Sequence, residues 1–521
     1  MAHEELTGGA AVAVGLEDAA TRVAFSFPGA PATRVSLAVE HSRVAHRWCT
    51  NEAVATTLGL GSAMLDRCRV AVIWKHIGAN VASDALRTGA ALREYRSGLV
   101  IVEGLDQTPR TSQNAQDNRP LWRELGVPAL EPSTPQEAYD LTRFAFALSE
   151  AIGGPVVVRG DEEVLSAQGP VERRAADAMA AGPGYRRETP FVCTAETFGY
   201  HDERRRHLAA RLVDQIGLAP RNGATGRVGV IAAGHVGPRG DGARPLLRLV
   251  LATPLPEQAI ADFLRPLDRV LVVEEGGDFL RVQLEALAHR HRLPTRIVRA
   301  EREDLGDRIG TPPLAPLAGL LDRYGEKTPQ TWATAFASAR ATMPRFTAGD
   351  PRALLFQQIR ALERPTLVAT DPGVTGVLGI ADGWVDAKLH MGCAAPLAGG
   401  LSLAESVAGE AGKPLAIAVI GDTNYYHSEI NGLLDNAIAG RDVLHVLVVN
   451  HKSEMTSGVR TPALADDALV AQLRLAGCLV ESQPLSDTAE TARALCRLAV
   501  RSGPRALVLF GEGRPGQERD D

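Results

Sequence analysis

Gly421-Asp422-Thr423 follows an apolar run, Leu415–Ile420, and Asn450 follows a second one, Val443–Val449. Between them lies a segment of helical period, with Ile430, Leu433, Leu434 and Ala437 on one face. In a doubly wound sheet both strand ends open on one edge, where ligands bind. Asp422 and Asn450, 28 positions apart, can therefore converge on one point. A glycine admits close backbone approach, a carboxylate binds a hard cation and an amide oxygen adds a neutral ligand. Mg²⁺ takes one or two carboxylates and completes its shell with phosphate oxygens, so this pair predicts a phosphorylated partner. Read alone, Gly-Asp after a strand is equally ordinary turn chemistry.

Further groups could take part in the chemistry. Glu52 opens a helix among Ala, Val and Thr, a setting in which a carboxyl keeps its proton; it is also the acid expected at a helix start. His76 follows a strand and reads either as a proton shuttle or as a loop histidine. The loop Ser112–Arg119 is dense in amides, and Asn114 with Arg119 can hold a substrate carboxylate or simply brace a surface loop. His390-Met391-Gly392-Cys393 precedes a helix of small residues whose first amides suit a diphosphate. Asp371-Pro372-Gly373 ends another strand, and His427 lies in the turn after Asp422, where it can face substrate.

The elements that position these residues read as α/β throughout. Strands alternating with helices imply parallel sheets. Residues 1–165 form one such unit, with strands at Val23–Phe27, Val70–Trp74, Leu99–Glu103 and Pro155–Arg159. Residues 166–225 read as an arginine-rich linker with one helix near Glu203–Ile216. Residues 226–310 form a smaller unit with strands at Val228–Ala232, Leu249–Leu251 and Val270–Val273. A connector follows at 311–350, a third α/β unit at 351–510, and a charged tail at 511–521 expected to be disordered.

Composition narrows the functions. Net charge is −6, which gives no electrostatic case for nucleic acid or an anionic membrane. No apolar run approaches the roughly 20 residues that cross a bilayer, and the N-terminus shows no signal-peptide pattern, so a cytoplasmic protein is expected. Of the six cysteines, none form a CxxC pair. That argues against a local iron–sulfur cluster or zinc knuckle.

Together these residues resemble the thiamine diphosphate-dependent 2-oxoacid:ferredoxin oxidoreductases, and among them the large (alpha) subunit of the indolepyruvate type. The resemblance rests on FPGAP (27–31), TNEAVA (50–55), KHIGANVASD (75–84), SQNAQDNR (112–119), EPSTPQEA (131–138), MGCA (391–394), GDTNYYHS (421–428) and NHKSEMTSG (450–458). It implies a pyrimidine-binding domain at 1–165, a transketolase C-terminal-like domain in the middle and a diphosphate-binding domain at 351–510. It implies thiamine diphosphate and Mg²⁺ as cofactors. Glu52 takes the place of the cofactor-activating glutamate, and Asp422, Asn450 and the Lys452 carbonyl that of the metal ligands. Pro28, Gly29, Asp371, Gly373, His390, Met391, Gly392, Cys393, Gly421, Thr423, Met455 and Thr456 fall at cofactor-binding positions. Site assembly across a homodimer is implied as well.

The departures are specific. The family's cysteine-rich motif before the third unit is replaced by PRFTAGDPRALL (344–355), the cysteine runs of its C-terminal ferredoxin-like segment have no counterpart, and Ala30 stands where the family turn carries threonine. The expectation is therefore non-oxidative chemistry on a 2-oxo acid, without an iron–sulfur cluster. Decarboxylation leads to an enamine that is protonated or attacks a second carbonyl, with His76 and His427 moving protons. Two alternatives stand: an oxidoreductase subunit served by a separate redox subunit, and a non-catalytic assembly subunit.

Overall fold

The computed structural model describes residues 3–91, 95–107, 110–178, 181–187, 190–193, 209–210, 212, 219–234, 244–300, 340–341, 343–456 and 458–511. Among them, seven strands build the first sheet in the order Leu251–Thr253, Ala129–Leu130, Val156–Asp161, Leu99–Leu105, Val70–Lys75, Val23–Ser26, Ala45–Trp48. All neighbours are parallel except the first pair. The central strands are near-continuous apolar runs because both faces are covered. Val70, Val72 and Trp74 join the core on the side of helix Glu52–Ala63. Ala71 and Ile73 join the opposite core with helices Gly8–Asp18 and Pro135–Ile152.

The third unit is likewise a parallel sheet, ordered Phe191–Val192, Ala387–Lys388, Thr366–Thr370, Leu415–Gly421, Val443–Val449, Arg505–Phe510, Leu479–Pro484. From Thr366–Thr370 the chain moves outward to Ala387–Lys388 and then returns to Leu415–Gly421 on the other side. The sheet's topological switch point therefore lies between Thr370 and Gly421, where open α/β sheets take their ligands. The small middle unit is a parallel sheet of Leu246–Leu249, Val228–Ala233, Arg269–Val273 and Arg296–Arg299.

Glycines set how closely the two large units pack. Helix Glu52–Ala63 lies on helix Ala394–Leu401 with almost no side-chain layer between their backbones. A Cβ at Gly400 would sit 2.4 Å from the Leu58 carbonyl oxygen, and one at Gly61 would sit 2.7 Å from that of Leu397. Thr50 adds cross-unit hydrogen bonds, its N–H to the Asp435 carboxylate and its hydroxyl to the Asn431 carbonyl.

Two expectations change. The strand anticipated at Leu249–Leu251 is two strands, Leu246–Leu249 in the middle sheet and Leu251–Thr253, which crosses over and pairs antiparallel with Ala129–Leu130. An apolar run that serves two sheets shows no break in its hydrophobicity. The segment expected to be a plain linker is stitched into other units: Gln168–Glu172 pairs with His3–Thr7, Gly184–Tyr185 with Ser406–Val407, and Phe191–Val192 extends the third sheet. The helix expected near Glu203–Ile216 falls largely outside the described residues, as do 512–521 of the tail and 311–339 of the connector.

Candidate functional site

A cleft of about 610 Å³ opens at the switch point of the third sheet. One wall is the turn Asp371-Pro372-Gly373 leading into helix Val374–Ala381. Gly373 precedes that helix in extended backbone, and no side chain caps it. Val374, Thr375 and Gly376 of the first turn line the cleft with no side-chain cap and no acid among them, a helix start that can take an anion.

The opposite wall carries Gly421, Asp422, Thr423 and Asn424. Asp422 is buried, and its carboxylate accepts backbone N–H bonds from Thr423 (2.7 Å), Asn450 (3.0 Å) and His451 (2.5 Å). His451 adopts a left-handed φ of 59°, which bends the chain after the strand so that successive amides converge on Asp422. Burial, opposed by these amides, raises the Asp422 carboxyl above the usual range. The Asn450 side-chain oxygen accepts the Lys452 N–H at 3.1 Å. Asn424 donates to the Pro372 carbonyl at 3.0 Å, while its own oxygen is buried without a donor among the described residues.

This donor set consists of oxygens with a single carboxylate. No group of three or more His, Cys, Asp or Glu residues suited to a metal occurs among the described residues. Such a set fits a hard cation that draws further ligands from phosphate oxygens. The orphan oxygen of Asn424 is a further acceptor on the same wall. Met391 and Met455 add apolar surface; Met455 is exposed. Arg352 reaches the mouth, paired with Asp350 at 2.8 Å and Glu454 at 2.7 Å. The side chain of Thr456 is outside the description.

The helix start after Gly392 is not an open anion site. Asp371 accepts the N–H groups of Cys393 (2.7 Å) and Ala394 (3.2 Å), and Glu429 accepts that of Ala395. Cys393 is itself buried, its amide on Asp371 and its thiol on the Thr370 carbonyl. Gly392, at φ 79°, provides close approach, since a Cβ there would meet the Ser428 hydroxyl at 1.9 Å. The helix start expected to hold a diphosphate after His390-Met391-Gly392-Cys393 thus has its Cys393, Ala394 and Ala395 amides taken by two carboxylates, and the helix start without a side-chain cap on the cleft is the one at Gly373. Sequence reading missed Glu429 because nothing in the turn that carries it marks it as buried.

No residue of the first unit lines this cleft among the described residues. Glu52 sits at the start of its helix, capped by Asn51, whose side-chain oxygen accepts the Val54 N–H at 2.8 Å. Its carboxyl packs on Gly78, where a Cβ would lie 2.6 Å from Glu52 Cγ. Burial raises its pKa. Pro28 is exposed, and Gly29 lies over the Lys75 side chain.

The remaining candidates have other partners. His76 is fully buried, with Nδ1 3.3 Å from the Gly104 carbonyl oxygen and Nε2 3.0 Å from that of Asn114. With both ring nitrogens on backbone carbonyls it has no free edge for shuttling protons. Asn114 serves that contact through its backbone. Arg119 is 3 % exposed and binds Asp117, Glu274 and the Glu275 carbonyl, so it clamps the first unit to the middle one rather than holding a substrate. His390 lies at the unit interface, its Nε2 3.2 Å from the Thr57 hydroxyl, and burial lowers its pKa. His427 is exposed, its ring on Ser428, which reaches the Met391 carbonyl at the cleft rim.

The fold and this cleft resemble those of the thiamine pyrophosphate enzyme class. Residues 381–501 match the family described as "Thiamine pyrophosphate enzyme, C-terminal TPP binding domain". Within that class the chain resembles the indolepyruvate oxidoreductase subunits IorA. It is 27 % identical to that of Methanothermobacter marburgensis over 481 residues, 86 % of this chain and 75 % of the relative. It is 27 % identical to that of Archaeoglobus fulgidus over 520 residues, covering 91 % and 80 %. The Thermococcus kodakarensis subunit is 27 % identical over 505 residues, covering 88 % and 76 %. Among the described residues, no helix is long and apolar enough to cross a membrane.

Proposed function

We propose that the protein is a thiamine diphosphate- and Mg²⁺-dependent enzyme that acts on a 2-oxo acid, by non-oxidative decarboxylation, acyloin-type carbon–carbon bond formation, or both. The observation that carries this reading is the switch-point cleft. One wall offers the uncapped helix start at Gly373, and the other the buried Asp422 held to the Asn450 loop. Asp422, Asn450 and the Lys452 carbonyl would hold the cation, and Gly373 with the amides behind it the diphosphate. Thiamine diphosphate supplies a carbon nucleophile and an electron sink when bound. Glu52, whose carboxyl burial raises above its usual range, would donate a hydrogen bond to the aminopyrimidine ring. His427, linked through Ser428 to the Met391 carbonyl of the cleft, is the candidate for proton transfer to product.

Glu52 and the Pro28-Gly29 turn stand apart from the cleft of their own chain, which favours a homodimer in which a second copy closes the site. Non-oxidative chemistry is favoured by the cysteines, four of them buried and none paired with another. The printed names of the relatives favour a second reading, a 2-oxoacid oxidoreductase subunit that passes electrons to a separate redox subunit. Incubation of the protein with Mg²⁺, thiamine diphosphate and a panel of 2-oxo acids separates the two. CO₂ release without an electron acceptor supports the first, and release only with one supports the second. Calorimetric titration tests the third possibility, an assembly subunit: absence of Mg²⁺-dependent cofactor binding would establish it.

A further inference from the structure

Beneath the cleft, two buried carboxyl groups meet on one helix start. Asp371 ends the strand Thr366–Thr370 and begins the turn whose helix start lines the cleft. Glu429 ends the π-helical turn Tyr425–Glu429, which follows Asp422 on the other wall. They share three consecutive amides, those of Cys393, Ala394 and Ala395. Asp371 is 3 % exposed and Glu429 0 %. Asp371 Oδ2 and Glu429 Oε2 are both buried and receive no donor among the described residues. Asp371 takes the Cys393 and Ala394 amides and Glu429 the next one along, that of Ala395, so the two carboxyls sit side by side over one helix turn.

Two carboxylates in a dry site cannot both ionise without a large cost. The compensating charge is small: the helix dipole supplies about half a positive charge. Lys388 faces Asp371 from the adjacent short strand, itself buried, with its ammonium disfavoured by that burial. The Cys393 thiol faces both carboxyls and is pushed well up by burial. His390 and His427 lie outward on the flanking turns, near each other. Burial pushes Asp371 up to about 7, against the pull of its backbone amides, and pushes Glu429 well above the carboxylate range.

We infer that Asp371 and Glu429 share one proton and together form a pH-sensitive brace that holds the two walls of the cleft at a fixed separation. One O–H···O bond satisfies both orphan oxygens and ties the strand-end turn to the π-helical turn. Loss of that proton sets two like charges against each other, pushes the walls apart and loosens the anion site. The ligand named below rests on the proposed function; the brace itself does not. Glu429 and Asp371 act here as positioning residues.

Thermal unfolding of the full chain from pH 5 to pH 9, wild type beside Glu429→Gln, tests the brace. Glutamine keeps an acceptor for the Ala395 N–H and gives Asp371 a permanent donor, so it imitates the protonated pair. Acids whose pKa is raised by folding bind more protons folded than unfolded, so wild-type stability falls as pH rises through that window. The melting temperature of the wild type should therefore drop relative to Glu429→Gln, the gap widening by several degrees toward pH 8. Parallel curves overturn the proposal. Infrared difference spectra, wild type minus Glu429→Gln, cancel other protonated carboxyls such as Glu52: a protonated-carboxyl carbonyl band should be present at pH 6 and vanish at higher pH, and its absence at pH 6 also overturns the proposal.

With saturating Mg²⁺, the dissociation constant of thiamine diphosphate should rise about tenfold more in the wild type than in Glu429→Gln between pH 6 and pH 8.5. Ionisation of the ligand acts on both proteins alike, so identical profiles remove the link to the cleft. If the stability gap occurs while neither protein binds thiamine diphosphate, the brace stands and the proposed cofactor falls.

Discussion

The Asp422 carboxylate and the Asn450 backbone N–H are 3.0 Å apart, and that bond joins the ends of two neighbouring parallel strands. Asp422 thus has two tasks: it folds the loop after Asn450 and presents negative charge to the cleft. Replacement separates them. Asp422→Ala leaves the Asn450 and His451 amides without their acceptor and should destabilise the chain by about 1–3 kcal/mol. Asp422→Asn retains an acceptor oxygen and should recover part of that loss. Both should weaken Mg²⁺-dependent cofactor binding by roughly 100-fold or more, because a hard cation needs the charge. Calorimetry and thermal melts in parallel check both halves.

Glu52 is positioned from below by a glycine. A Cβ at Gly78 would come within 2.6 Å of Glu52 Cγ and 2.9 Å of Oε1. Gly78→Ala must move the carboxyl, and overpacking of this kind costs about 1–3 kcal/mol. If Glu52 activates the cofactor, the variant should bind Mg²⁺ and diphosphate as the wild type does but lose most of its turnover. Glu52→Gln should reproduce the loss in turnover without the loss in stability. Turnover measured beside binding of inorganic pyrophosphate distinguishes the two effects.

Much of this was legible in the sequence. The runs Leu415–Ile420 and Val443–Val449 are strands ending at Gly421 and Asn450, and the segment between carries the helix Ile430–Ile438. Length, β-branched content and turn residues sufficed there. What was not legible is burial that arises only from tertiary contact. Arg119 reads as a guanidinium free for substrate, whereas Asp117 of its own loop and Glu274 and Glu275 of the distant middle unit occupy it. The small-residue helix at Ala394 reads as an anion site because its occupants are distant along the chain, Asp371 lying 22 positions before Cys393 and Glu429 34 positions after Ala395. Periodicity reports which face of an element is apolar, not which distant side chain fills its end.

The glycine contact between the two large units predicts a sharp sensitivity. Gly400 faces backbone: a Cβ there lies 2.4 Å from the Leu58 carbonyl oxygen and 2.8 Å from the Ser62 nitrogen. Backbone cannot rotate aside as a side chain can. Gly400→Ala should therefore destabilise the chain by about 3 kcal/mol, the upper end for overpacking. Gly440→Ala is a poor control because Gly440 has a φ of 61°, whereas Gly223 has open space and no left-handed φ. Gly223→Ala should change stability by less than about 1 kcal/mol. Urea denaturation of the three proteins checks the ranking.

The middle unit is held by a buried ion pair whose pH dependence has a definite sign. Arg248, fully buried, forms a two-pronged contact with Glu137 on helix Pro135–Ile152 of the first unit. Burial alone would raise Glu137, but the Arg248 hydrogen bonds and charge outweigh it and hold the carboxyl below its usual range. A carboxylate depressed by folding contributes stability above its unfolded pKa of about 4.3, and that stability is lost as pH falls through the lower folded value. Arg248→Met removes the partner and leaves a buried charge, which costs about 3–5 kcal/mol at neutral pH. Glu137 can escape that cost by taking a proton, so the variant should regain stability as pH falls from 7 toward 5 while the wild type does not. Thermal melts of both proteins across that range test the sign: a variant whose deficit stays constant with pH would show that Glu137 does not carry the charge there.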